Sequence, residues 1–477
     1  MLKTFGKKKL VKDISASTLQ TAITQAFSLL IFYFTSRYLA KDDFGEFNWS
    51  MAVGSTFIAM ASLGLDVVYV KRIASGQDAV VMSGIHFFHT VMAGLVLTAM
   101  VFGVQLIFPS FAFAHPLFLM VFINLSLINI ANSFRLALIG MEVYKYLAIL
   151  AFITNVIKFA LILFLYLQSY FTIYNVIYTF ILISVLELIL GYFFVSKSLS
   201  VRVKPILKIQ EYKYFILESL PQLGVVFFDS ALARIDWILL GIISTATVTA
   251  DYSFTYRMYE SSKLPLLIIA PILLTRFSKL FSDPERIDDK NRNDIRYFFK
   301  FELFVVMLIP ITLACAWTPL MDFFTNNKYG KVNELNYLVL AACVPLHCIS
   351  NFLWSMGFAQ GQLKAIMYIT LSVAVVNLGL NFFLIPDYKG MGAAISFLIS
   401  TVLQTTLYIK LMNQKHIQLD LGTCLLAFVN AITAVCVGKL LSDQAVISAF
   451  IALALFSGLA VITKQIELKQ IRNIIKQ

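Results

Sequence analysis

The segment Gly84 to Ile107 reads GIHFFHTVMAGLVLTAMVFGVQLI, an uncharged and mostly apolar run. About 20 such residues, rising 1.5 Å each as a helix, cover the hydrocarbon layer of a bilayer. The flanks set its direction: Lys71 and Arg72 precede it, whereas the following connector, Phe108 to His115, holds no Lys or Arg. Basic residues are retained on the cytoplasmic side of membranes, so the chain enters this span from the cytoplasm.

Thirteen more stretches of the same kind fill the chain to either side. Spans are expected at 14–38, 44–68, 84–107, 116–138, 146–167, 172–195, 214–240, 248–275, 298–318, 334–356, 365–385, 390–409, 420–438 and 444–463. The 477 residues are 59% hydrophobic with mean hydropathy +0.82, which leaves short connectors and no sizeable soluble domain. The excess of 38 basic over 26 acidic residues would point to nucleic acid in a soluble chain, but its placement excludes that partner. Twenty-six of the basic residues fall in the termini and alternate connectors, among them Lys71, Arg72, Lys145, Lys197 to Lys213 and Arg276 to Arg296. The other connectors and their helix ends hold six: Arg37, Lys41, Lys328, Lys331, Lys389 and Lys439. This bias puts both termini and the two longest basic loops in the cytoplasm, and it requires an even number of spans.

The basic start resembles a signal peptide, but the first span is too long and too polar and no small-residue cleavage pattern follows, so it is expected to remain. Cys315, Cys343, Cys348, Cys424 and Cys436 lie in or near spans without a C-x-x-C pair, and read as small apolar fillers rather than disulfides or metal ligands. No G-x-x-x-x-G-K-[ST] loop is present, so neither a nucleotide engine nor a cofactor is expected.

Six spans precede the basic linker 196–213, six follow it to about Lys410, and two remain. The expected organisation is a basic cytoplasmic N-terminus 1–13, a first lobe 14–195, the linker 196–213, a second lobe 214–411, and two further spans with a cytoplasmic tail in 412–477. An internal echo agrees: Phe44-Gly-Glu-Phe-Asn-Trp-Ser-Met51 matches Asp251-Tyr-Ser-Phe-Thr-Tyr-Arg-Met258 in two aromatics and a methionine at equal spacing. Two six-helix lobes that both start in the cytoplasm are parallel repeats about the membrane normal, with the cargo cavity between them. The fold class is all-α and polytopic.

Four segments carry a family likeness. Thr35-Ser-Arg-Tyr-Leu-Ala-Lys-Asp-Asp-Phe-Gly-Glu-Phe47 closes the first span, and Leu63-Gly-Leu-Asp66 with Lys71-Arg72 closes the second. Ile235-Asp-Trp-Ile-Leu-Leu-Gly241 with Ala250-Asp-Tyr-Ser-Phe254 links spans seven and eight, and Ile385-Pro-Asp-Tyr-Lys-Gly-Met-Gly-Ala-Ala-Ile395 opens the twelfth. In this order they resemble the polysaccharide exporter family, the Wzx-type flippases of the MOP superfamily, over nearly the whole chain. The resemblance implies MATE-like lobes that rock about a central cavity. It also implies a cargo of polyprenyl-diphosphate-linked oligosaccharide for O-antigen- or capsule-like polysaccharide, and a bacterial inner membrane. Membrane lipids, a polysaccharide polymerase and a chain-length regulator are the partners it implies. Physically, Gly45, Gly390 and Gly392 permit turns and close approach, and Pro386 stops a helix.

An ionisable group inside a span is costly unless it meets water or a partner, so each is a functional candidate. A lipid-diphosphate cargo calls for cations in a laterally open cavity, and Lys158, Arg257 and Lys263 are the candidates, with Gln25 on the polar face Ser17, Thr21, Thr24, Gln25, Ser28 of the first span. Lys158 and Glu187 sit at matching depths and are expected to pair; Arg135, near a helix end, reads as a topological anchor. On span seven, Glu218, Gln222, Asp229 and Asp236 recur at spacings of 4, 7 and 7, so they share one face directed at the cavity. Asp229, Asp236 and Glu260 are the candidates for ion coupling. Ser126, Asn129, Asn132 and Ser133 of span four serve either helix packing or a hydrated lumen, and His347 reads as a hydrogen-bonded structural residue.

Two rivals stand beside the flippase. A cation-coupled drug or metabolite antiporter of the same fold would use the acids rather than the bases. A membrane polymerase or glycosyltransferase would need a large outward loop with an acid, base or metal site, and the longest outward connector, 319–333, offers Asp322 without a D-x-D pair. The expected protein is not an enzyme.

Overall fold

The computed structural model describes the backbone of residues 7–266, 289–412 and 419–463, with Leu273, Phe277, Leu280, Phe281 and Gln465 as isolated positions. Side chains are described from Ile23 onward, with gaps between 221 and 232 and between 289 and 294. Every regular element among these residues is a helix: α1 (Lys7–Tyr38), α2 (Lys41–Ala61), α3 (Leu65–Ala74), α4 (Ala79–Ile107), α5 (Pro109–Ala114), α6 (Phe118–Gly140), α7 (Tyr144–Leu167) and α8 (Ile173–Leu199) come first. Then follow α9 (Ile209–Ile243), α10 (Ala246–Ser262), α11 (Asp289–Thr325), α12 (Gly330–Ala359), α13 (Leu363–Leu411), α14 (Leu421–Leu441) and α15 (Ala445–Ile462).

Local chemistry places the ends. Asp78 caps α4 by accepting from the N–H groups of Val80 and Val81, and Asp420 caps α14 through Thr423. Leu63 and Gly64 both take positive φ, 51° and 71°, and break the second span into α2 and α3, bent by 53°. The 49 residues of α13 are two helices joined at Lys389 (φ 52°, ψ −128°), just after Pro386, and correspond to the expected spans eleven and twelve. Gly392 is the close approach at this corner: a Cβ there would lie 2.3 Å from the Leu384 carbonyl oxygen.

Nine helices among the described residues are long and apolar enough to cross a membrane, or ten with α2 and α3 taken as one span. The expected fourteen are not reached by that measure. Part of the shortfall is that α13 counts once and that α10, with 17 residues, falls short of the length required. The chain is a multi-pass membrane protein.

Two compact units divide the chain: Met1–Gly241 with Thr245–Ala250, and Ile242–Ser244 with Asp251–Gln477. The division falls one helix later than the basic linker, because α9 packs with the first unit. Phe215 is buried in that unit's core beside Tyr69, Ile85, Phe134 and Val195. At the far end of α9 the Trp49 indole donates to the Ile238 carbonyl (3.2 Å), and a Cβ on Gly241 would meet the Trp49 ring at 1.8 Å. The linker itself is strapped to α4, with Val203 buried and the Ile206 N–H donating to the Gly84 carbonyl (3.0 Å).

In the second unit, Trp317 stacks on Tyr337 (4.2 Å between ring centroids) and Phe254 on Tyr329 (4.3 Å). Between lipid-embedded helices, such packing and interhelical hydrogen bonds supply the association that burial from water supplies in soluble folds. The helices α14 and α15 join this unit through α11. Phe456 stacks on Phe304 (5.3 Å), Asp420 pairs with Lys300 (3.5 Å), and Lys439 pairs with Glu334 of α12 (2.7 Å).

Candidate functional site

Within the first unit the candidate cation is Lys158, half-buried on α7, whose ammonium lies 4.8 Å from the centre of the Phe180 ring. The expected Lys158–Glu187 ion pair is not formed. Glu187 of α8 instead bonds the Arg135 guanidinium of α6, which makes Arg135 an internal partner rather than a topological anchor. A guanidinium presents several N–H groups to a carboxylate in fixed geometry, which an ammonium on a flexible stem does not. Among the described residues no carboxylate lies within ion-pair distance of Lys158. Gln25 is half-buried on α1, which packs along α7 through Phe27 and Phe159 (5.8 Å).

In the second unit α10 carries the other candidates. Arg257 and Glu260 pair one turn apart (3.1 Å), each about one third exposed. Lys263 follows the helix end, its ammonium 4.3 Å from the Tyr259 ring centre, and no described carboxylate lies within ion-pair distance of it. Tyr259, His347 and Phe397 pack around one another at 5.6 to 6.1 Å, so one end of α10 is an aromatic seat beneath a cation. The Nε2 of His347, which was expected to be hydrogen-bonded, is buried and has no partner among the described residues.

The carboxylate stripe of α9 is not uniform. Glu218 is bound by Arg72 (2.7 Å) and Lys71 (3.3 Å) of α3. Asp236 is buried, its carboxylate accepting from the Trp237 N–H (3.0 Å), and Arg234 covers the Trp237 ring at 4.9 Å. The side chains of Gln222 and Asp229 lie outside the described residues, as do those of Ser17 and Thr21.

The stripe on α6 faces its neighbours. Ser126 bonds Thr98 of α4 (3.1 Å) and Ser133 bonds His86 (2.8 Å). The sequence reading passed over His86, a polar ring in an apolar span, and it passed over Glu302, which is fully buried on α11 with neither carboxylate oxygen partnered among the described residues. A charge inside a span was the available signal for Glu302; for His86 it was only the polar ring in an apolar span.

A family model described as a polysaccharide biosynthesis protein matches residues 10–277, more than half of the chain. The chain belongs to that family. No curated protein matches this polysaccharide biosynthesis family member in sequence. Among solved structures, a lipid II flippase MurJ in an inward closed conformation superposes with a TM-score of 0.72 at 14% identity, covering 94% of this chain and 98% of that one. An inward-facing multidrug resistance MATE family transporter of the MOP superfamily gives 0.66 at 13% identity, with 83% and 96% covered. A MOP superfamily transporter from Pyrococcus furiosus, described as having a binding pocket of reversed polarity, gives 0.58 at 14% identity, with 84% and 94% covered. At these identities the likeness is one of fold. The fold is that of the MOP superfamily transporters.

Proposed function

We propose that this family member is a flippase that carries polyprenyl-diphosphate-linked oligosaccharide from the cytoplasmic to the outer leaflet for surface polysaccharide assembly. The observation that carries the reading is the pair Lys158 and Lys263, each set against an aromatic ring with no described carboxylate at ion-pair distance. A cation at membrane depth without a counter-ion is costly, and an anionic headgroup or cavity water relieves that cost. The diphosphate is such a headgroup, the lysines receive it as point charges, and Gln25 serves the sugars or the bridging oxygens. Arg257 joins when the headgroup displaces Glu260. The lipid tail stays in the bilayer, and alternating access of the two units moves the headgroup across.

The membrane is a bacterial inner membrane with both termini in the cytoplasm, as the basic connectors direct. Ion coupling runs through Asp229, Asp236 and Glu260, and a polymerase and chain-length regulator take the product. The antiporter reading needs a carboxylate free for a cationic cargo at the outset, whereas Glu260 is paired with Arg257 until an anion takes its place.

Reconstitution in liposomes tests the proposal by following whether a polyprenyl-diphosphate-linked oligosaccharide becomes reachable from the opposite leaflet. Transfer that falls at least tenfold in Lys158→Ala and Lys263→Ala supports the reading. No transfer over several glycans, with proton-driven efflux of a cationic dye in its place, sinks it.

A further inference from the structure

Three helices of the first unit meet around one imidazole. His86 of α4 is 1% exposed, and its Nε2 lies 3.0 Å from a carboxylate oxygen of Asp66 in the first turn of α3. Its Nδ1 lies 2.8 Å from Ser133 Oγ of α6. The Tyr69 ring is stacked on the imidazole at 4.2 Å, nearly parallel at 6°, and its hydroxyl donates to Ser83 Oγ (2.8 Å). Asp66 is one third exposed, so the buried ring reaches the surroundings through this carboxylate.

We propose that His86 with Asp66 is a proton-binding site whose occupancy sets how firmly α3 is held to α4 and α6. The network accepts one proton without leaving any group unsatisfied. With the ring neutral and its N–H on Nε2, His86 donates to Asp66 and Nδ1 accepts from the Ser133 hydroxyl, while the Tyr69 hydroxyl donates to Ser83. A proton from water taken up on Nδ1 turns that bond round: Nδ1–H donates to Ser133 Oγ, whose own hydrogen turns to a carbonyl one turn back on α6, and the ring is a cation with Nε2–H still on Asp66. The Asp66 bond, already charge-assisted through the carboxylate, then carries charge at both ends and tightens.

The element that feels the change is built to move. α3 has ten residues and is joined to α2 through the positive-φ pair Leu63–Gly64. At its other end Lys71 and Arg72 hold Glu218 of α9, so the proton's effect passes from the ring through α3 to the start of α9. The other titratable groups facing the ring are Tyr69 from α3 and His89 one turn along α4. His89 is engaged by the Ala61 carbonyl (2.9 Å) and by the Tyr212 hydroxyl of α9 (2.8 Å). Phe215 of α9 closes the remaining side at 6.4 Å. No cargo residue takes part, so the site stands or falls independently of the flippase reading.

Amide hydrogen exchange of the full-length protein in liposomes, corrected for intrinsic rates and scanned from about pH 5 to about pH 8, the range where histidine changes charge, tests it. Protection of Leu65–Ala74 should be about tenfold greater at the acid end, as expected for a bond that gains a second charge. His86→Gln and Asp66→Asn should each abolish the step, whereas His89→Gln should keep it. A wild-type segment whose protection does not change with pH overturns the proposal, as does a step that survives in either of the first two variants. Should His86→Gln not fold, Asp66→Asn decides the question with the ring intact.

Discussion

At the scale of the residue, the choice of ionic partner separates structural from functional charge. Arg135 and Glu187 neutralise each other between α6 and α8, with side-chain exposures of 28% and 11%. Removing one member by Glu187→Ala strands the other, which should lower stability by about 2 kcal/mol, less than a fully buried pair would because Arg135 is partly open. A Glu187→Leu, Arg135→Met double variant should recover most of that loss. Lys158→Met should behave oppositely: no counter-ion is stranded, so thermal unfolding in detergent should be unchanged or slightly delayed while lipid transfer falls. A drop in melting temperature as large as that of Glu187→Ala would make Lys158 a structural residue. The partner was not legible in the sequence, because depth along the spans favours Lys158, and only the packing of α6 against α8 brings the Arg135 guanidinium to Glu187. Asp66 and His86 were similarly hidden, since twenty residues separate them and neither lies deep in a conspicuous polar stripe.

At the scale of the element, hydropathy and basic flanks locate helices well because the bilayer enforces length and backbone satisfaction. The expected second, eleventh and twelfth spans have helices in their places, while the break at Leu63–Gly64 and the corner at Lys389 depend on backbone geometry that no residue type announces. The linker's role was equally unreadable: it looks like a solvated basic tether but lies strapped on α4. A Cβ on Gly84 would come within 2.6 Å of the Lys204 carbonyl oxygen, a backbone atom that must move to make room. Gly84→Ala should therefore destabilise by about 1–2 kcal/mol despite improved helix propensity, and trypsin should cut faster at Arg202 and Lys208. Equal cleavage rates in variant and wild type would mean that the strap is dispensable. Asp420, outside the membrane at the start of α14, gives a pH-dependent counterpart. The Thr423 hydroxyl and backbone N–H, aided by Lys300, hold its carboxyl below the usual carboxylate range. A depressed folded-state value means that its contribution is fully present above the unfolded value of about 3.9 and is lost as the pH falls through the folded one. Asp420→Ala should cost about 1 kcal/mol at neutral pH, and the gap from wild type should close in acid.

At the scale of the whole molecule, the two units each carry a lysine at depth, and the sum of charges moved with the cargo decides how transport responds to the membrane potential. One elementary charge crossing the membrane is worth about 2.3 kcal/mol per 100 mV. An inside-negative potential drives a diphosphate headgroup outward, and any lysine that travels with the headgroup subtracts from the charge moved. If Lys158 and Lys263 accompany the headgroup through the field, lipid transfer by wild type should depend only weakly on an imposed potassium-diffusion potential. Residual transfer by Lys158→Gln or Lys263→Gln should depend on it more steeply, by up to one elementary charge per substitution, even though its rate at zero potential is lower. Liposomes bearing a labelled polyprenyl-diphosphate glycan, with transfer followed at several imposed potentials, measure both quantities at once. A fall in rate with no change in voltage dependence would place the lysines at a fixed binding site that the field does not cross. A rate that is also unaltered would remove them from the cargo path.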